Sequence, residues 1–150
     1  MLQHFELSLE HCGFTDELVD ALVVSLQGSP FLHTLKLGLP NNEVRSSGML
    51  CLNETIHPLS VLSVDISNIP FQKGPMGTLG ALNRLRSSSK PAIYGLTELT
   101  LNLRGCPVDP EEARSIGALA SLKFLRKLSL LLGHTQIKDE GVHNLGELQA

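Results

Sequence analysis

Apolar residues recur along the chain at spacings of three, two and two, and the set returns five times. The copies are Leu2/Phe5/Leu7/Leu9, Leu32/Leu35/Leu37/Leu39, Leu59/Leu62/Val64/Ile66, Leu96/Leu99/Leu101/Leu103 and Leu125/Leu128/Leu130/Leu132, with all twenty positions apolar. Their second members, Phe5, Leu35, Leu62, Leu99 and Leu128, stand 30, 27, 37 and 29 residues apart. Within each copy the last three members alternate at period two, which describes a strand with one face buried.

Columns downstream of these strands keep the same register, although they play no part in finding the copies. Five residues past each third member come Cys12, Asn42, Ile69, Cys106 and Thr135, small or polar in four of the five, with Asn68 one place early in the third. Two residues later stand Phe14, Val44, Phe71, Val108 and Ile137, and eight beyond those Leu22, Leu52, Leu79, Ile116 and Leu145. A short polar side chain at a turn can satisfy backbone groups as the chain leaves a sheet.

A helix then returns the chain. Asp109-Pro110-Glu111-Glu112 supplies a cap, a first-turn proline and two acids at the positive end of the helix dipole. Thr15-Asp16-Glu17 and Asp139-Glu140 make similar starts, while Gly28-Ser29-Pro30 and Pro58 end two helices before the next strand. One strand and one helix leave a leucine face uncovered, so neighbouring units must stack. The expected organisation is one domain, 1–150, of five units: approximately 2–31, 32–58, 59–95, 96–124 and 125–150.

This pattern resembles the leucine-rich repeat family, in its ribonuclease-inhibitor-like class with a helix in each unit of about 28 residues. The stretch Leu96-Thr97-Glu98-Leu99-Thr100-Leu101-Asn102-Leu103-Arg104-Gly105-Cys106-Pro107-Val108 carries the resemblance best, followed by Ile137-Lys138-Asp139-Glu140-Gly141-Val142-His143-Asn144-Leu145. It extends from Leu2 to Leu148. An extra x-Leu pair lengthens each strand beyond the usual motif and is similar to a protist-style long-strand variant; the third unit departs further, being longer and carrying Ile69 in the polar column. The resemblance implies an α/β solenoid, a curved right-handed superhelix with a parallel five-stranded sheet on its concave face and helices on its convex face. It also implies a non-catalytic protein–protein interaction module or scaffold, including a peripheral structural subunit of a larger complex. The alternative it implies is a regulatory repeat protein of the inhibitor, ubiquitin-ligase adaptor or GTPase-activating type.

Composition agrees with a small repeated unit: leucine fills 30 of 150 positions, aromatic residues are 4%, and tryptophan is absent. A net charge of −3 provides no strong field for nucleic acid or an anionic membrane. Three scattered cysteines do not make a disulfide framework. Met1-Leu2-Gln3-His4-Phe5-Glu6 has neither a basic segment nor an apolar run, and no apolar stretch approaches the roughly 20 residues that cross a bilayer. The expected location is therefore intracellular and cytoplasmic, and the expected partners are other proteins, with neither nucleic acid nor membrane insertion. Leu2 enters a strand at once and Gln149-Ala150 fall within a helix. Without polar caps, the chain is expected to be a fragment or an uncapped subunit, its ends covered by missing repeats or neighbouring subunits.

Outward strand positions form rows: His4/Thr34/Val61/Glu98/Lys127, Glu6/Lys36/Ser63/Thr100/Ser129, Ser8/Gly38/Asp65/Asn102/Leu131 and Glu10/Pro40/Ser67/Arg104/Gly133. From these the candidate protein-binding concave face is Glu6, Lys36, Asp65, Thr100, Asn102, Arg104, Lys127 and Leu131. It is mixed in charge, and only Arg104 is of a type enriched in binding hot spots. The alternative is a solvated sheet face.

Other features carry weaker chemistry. Asn83 to Pro91, with three basic residues and three serines, reads as a solvated insertion, with an anion contact or phosphorylation site as alternatives. Gly74-Pro75-Met76-Gly77-Thr78-Leu79-Gly80 lacks the Lys-Ser/Thr of a phosphate loop. His134, Asp139 and His143 read as turn and helix-surface residues rather than metal ligands. Cys12 and Cys106 are expected to be buried and inert, Cys51 to pack, and the Asn53-Glu54-Thr55 sequon to be accidental within a helix. No catalytic, cofactor or metal site is expected, and the chain reads as a non-enzyme.

Overall fold

A computed structural model describes residues 1–45, 59–70, 95–122 and 124–146. Along the chain run β1 (His4–Ser8), α1 (Asp16–Gln27), β2 (Thr34–Gly38), β3 (Val61–Asp65), β4 (Glu98–Asn102), α2 (Pro110–Gly117), a 3-10 turn (Ala118–Ser121), β5 (Lys127–Leu131) and α3 (Asp139–Leu145). The architecture is α/β: one five-stranded sheet in the order β1-β2-β3-β4-β5, parallel at every step. Parallel neighbours require long crossovers, and the chain supplies one between each pair of strands. The expected second helix with Cys51, Asn53 and Pro58 lies outside the described residues. So do Phe71, the glycine-rich 74–80 segment and the 83–91 insertion.

Strand register follows the leucine template. Phe5, Leu35, Leu62, Leu99 and Leu128 are aligned across the sheet, as are Leu7, Leu37, Val64, Leu101 and Leu130. In the three middle units every template residue is buried, with relative exposure no higher than 5%. The outer units differ: Leu2 is 46% exposed, while Phe5, Leu7, Leu9, Leu125, Leu128, Leu130 and Leu132 are only partly buried against the core. Burial therefore requires a neighbour on each side.

Pairing continues beyond the strands in the same frame. Backbone N–H groups of Leu9, Leu39, Ile66 and Leu103 donate to the carbonyls of Gly38, Asp65, Asn102 and Leu131 at 2.7, 2.7, 3.0 and 2.9 Å. Two residues on, each chain segment turns through a left-handed residue: His11, Asn41, Asn68, Gly105 and His134, with φ of 49, 56, 58, 69 and 59°. This conformation is costly for most side chains and is relieved in glycine, asparagine and, less fully, histidine. The N–H groups of the first four donate in turn to Pro40, Ser67, Arg104 and Gly133 carbonyls at 3.2, 3.0, 2.8 and 2.9 Å. At Gly105 a second reason for glycine exists, because a Cβ there would fall on the carboxamide oxygen of Asn68.

The polar column lies one residue further on. Asn42 is 4% exposed and fully used: its Oδ1 accepts from the N–H groups of Cys12 (3.1 Å) and Phe14 (3.0 Å), and its Nδ2 donates to the carbonyls of Leu9 (2.6 Å) and Pro40 (3.1 Å). Cys106 is buried and reaches the Ile66 carbonyl through Sγ at 3.1 Å. Both thus reach the preceding unit. Thr135 instead bonds within its own unit, Oγ1 to the Leu132 carbonyl at 2.8 Å, and Ile69 is simply buried apolar surface. The expectation that Cys12 is buried is wrong: the residue is exposed. Its neighbour Asn42 binds its N–H from one side, and among the described residues no unit covers the other.

Helix starts vary in quality. At α2, the Glu112 N–H donates to Asp109 Oδ1 (3.0 Å) and the Asp109 N–H to Glu112 Oε2 (3.1 Å), a reciprocal capping box. Thr15 precedes α1 but makes no side-chain cap; its hydroxyl donates to Glu17 at 2.6 Å. Lys138 occupies the cap of α3, again without a side-chain bond. Helices α2 and α3 approach closely, since a Cβ on Gly141 would meet Ile137 Cγ1 at 2.5 Å and Ala113 Cβ at 3.4 Å, and Asn144 Nδ2 donates to the Pro110 carbonyl at 2.9 Å.

Two stability predictions follow from these contacts. Asn42→Ala removes four bonds and strands the buried Phe14 N–H; a loss of about 3 kcal/mol is expected in urea unfolding. A change below about 1 kcal/mol would show that the turn does not depend on this side chain. Glu112 is 3% exposed, its Oε1 has no partner among the described residues, and burial, with help from the Asp109 side chain, pushes its carboxyl up from 4.5 to about 7. The folded chain therefore holds more protons than the unfolded chain between those values. Stability from the protonated form is complete below about pH 4.5 and is lost as pH rises through about 7. Glu112→Gln should flatten the difference in unfolding free energy between about pH 5 and about pH 8; an unchanged slope would refute the assignment.

Candidate protein-binding face

Exposure alternates along the central strands, so that Val61, Ser63 and Asp65 on β3 and Glu98, Thr100 and Asn102 on β4 form one outward surface. Register places the candidate residues on it. Glu6, Lys36 and Thr100 share one row, Asp65, Asn102 and Leu131 another, and Lys127 aligns with Glu98. Arg104 follows just beyond β4.

Three of the eight form a connected group. Asp65 Oδ2 accepts from Asn102 Nδ2 at 2.8 Å, and Asn102 Oδ1 accepts from the Arg104 backbone N–H at 3.3 Å. Asp65 Oδ1 is occupied by Ser67, through its N–H at 3.0 Å and its hydroxyl at 2.7 Å. Arg104 extends across Gly133 of the next unit, where an added Cβ would stand 3.5 Å from its Cγ and Nε. A similar lean occurs at Gly38, whose absent Cβ leaves room for Ser8 Oγ.

Charges elsewhere on the face pair between adjacent strands. Lys36 Nζ lies 3.2 Å from Glu6 Oε2, with His4 Nε2 3.5 Å from the same oxygen, and Lys127 Nζ lies 3.4 Å from Glu98 Oε2. The Lys36 hydrogen bond, and then that of His4, holds the Glu6 carboxyl below its usual range. These pairs are exposed, so they orient side chains more than they stabilise the fold. Among the described residues Arg104 makes no ion pair. Leu131 is half-buried, and Thr100 stands outward without joining either group.

Ser67 and Glu98 are the residues that sequence reasoning left out of the candidate set. Glu98 stands outward, whereas Ser67, expected in an outward row, is buried; alternation cannot say that Ser67 holds Asp65 or that Glu98 holds Lys127. That depends on which neighbour stands across the sheet.

Other chemistry is spare among the described residues. No three His, Cys, Asp or Glu side chains are grouped so as to hold a metal ion, His134, Asp139 and His143 included. Burial pushes the Cys106 thiol up, which disfavours the reactive thiolate. Among the described residues no helix is long and apolar enough to cross a membrane.

Asp65→Ala should cost about 1 kcal/mol in urea unfolding, because it releases both Ser67 and Asn102 from a half-buried carboxylate. Lys127→Ala should leave the midpoint unchanged. Equal effects would mean that the Asp65 network is no more ordered than an exposed ion pair.

Neither a known family profile nor a curated protein sequence matches the chain.

Proposed function

We propose that the chain is a leucine-rich repeat solenoid of the ribonuclease-inhibitor-like class, with the sheet on its concave face and helices on its convex face. Its function is that of a non-catalytic interaction module or scaffold, suited to a peripheral place in a larger complex. The observation that carries the repeat reading is the left-handed residue at the same place in each unit, His11, Asn41, Asn68, Gly105 and His134, the first four in the same pairing frame. A single conformation returning at 27- to 37-residue intervals is what stacked copies of one supersecondary unit require.

Binding is assigned to the outward sheet face because it is broad, backed by a packed core, and carries side chains held in place by their neighbours. The Asp65 and Asn102 side chains are held by Ser67 and by each other before any partner arrives, which reduces the ordering cost of association. Arg104, just beyond β4 and without an ion pair among the described residues, and Leu131 on β5 supply a cation and an aliphatic contact in adjacent units. The step from fold to role is one of analogy, since a fold provides a surface and not a partner. The two described cysteines are free thiols, in keeping with an intracellular, reducing location.

The test compares partner recovery by wild type, a sheet-face variant (Lys36→Glu, Arg104→Glu, Leu131→Asp) and a helix-face variant (Val24→Ser), each checked for folding by circular dichroism. Proteins held by wild type and by the helix-face variant should drop at least about tenfold with the sheet-face variant. Equal recovery by all three would remove the sheet face from the binding role.

A further inference from the structure

We draw no further inference here: the strongest candidate, the surface patch where Arg104 lies over Gly133 beside Leu131 at the β4–β5 end of the outward sheet face, belongs to the binding face already described, and with acidic Asp65 in the adjacent unit nothing in the structure shows what covers it.

Discussion

The structure depends on lateral stacking of leucine columns through in-register parallel pairing. A five-residue strand with one apolar face gains little alone. Placed between two copies of itself, it buries that face and satisfies its backbone on both edges at once. The middle units show the result in Leu35, Leu62 and Leu99, all nearly inaccessible to water, while Phe5 and Leu128 in the outer units keep part of their surface exposed. Because a one-residue slip would invert every side chain, the shared register also decides which residues face outward. Core and candidate binding face are thus two consequences of one constraint.

Turn chemistry varies more than turn geometry. All five units pass through a left-handed residue at the same point, but they reach it with two asparagines, two histidines and a glycine. The following position is still less uniform. Asn42 supplies three hydrogen bonds to the turn beside it and one to its own, Cys106 supplies a thiol bond to Ile66, and Ile69 supplies only apolar volume. Cohesion is therefore uneven along the stack, with the junction of the first and second units the most heavily hydrogen-bonded at this position. The capping box at Asp109 and Glu112, and the close approach at Gly141, add local contacts around α2 and α3.

On the outward face, side chains make their contacts mainly across strands. Lys36 reaches Glu6, Lys127 reaches Glu98, and Asn102 reaches Asp65, each spanning one unit-to-unit step. Asp65 is held by Ser67 and Asn102 and not by a cation, and Arg104, laid over Gly133, makes no ion pair among the described residues.

The amino-acid sequence alone determined the strands, their number and their register, because a hydrophobic period of two, returned five times, has one way to bury its leucines. It also determined the start of α2, since Asp109, Pro110 and Glu112 act within one turn of chain. Tertiary structure decided the rest. Whether Cys12 is covered depends on a neighbouring unit and not on its place in the column. The left-handed turn was legible only as Asn68 standing one place early, since histidine adopts that conformation without announcing it. The partners of Asp65 and Lys127 stand 37 and 29 residues away, at Asn102 and Glu98. Local pattern specifies which way a side chain points; only packing brings the group it will touch.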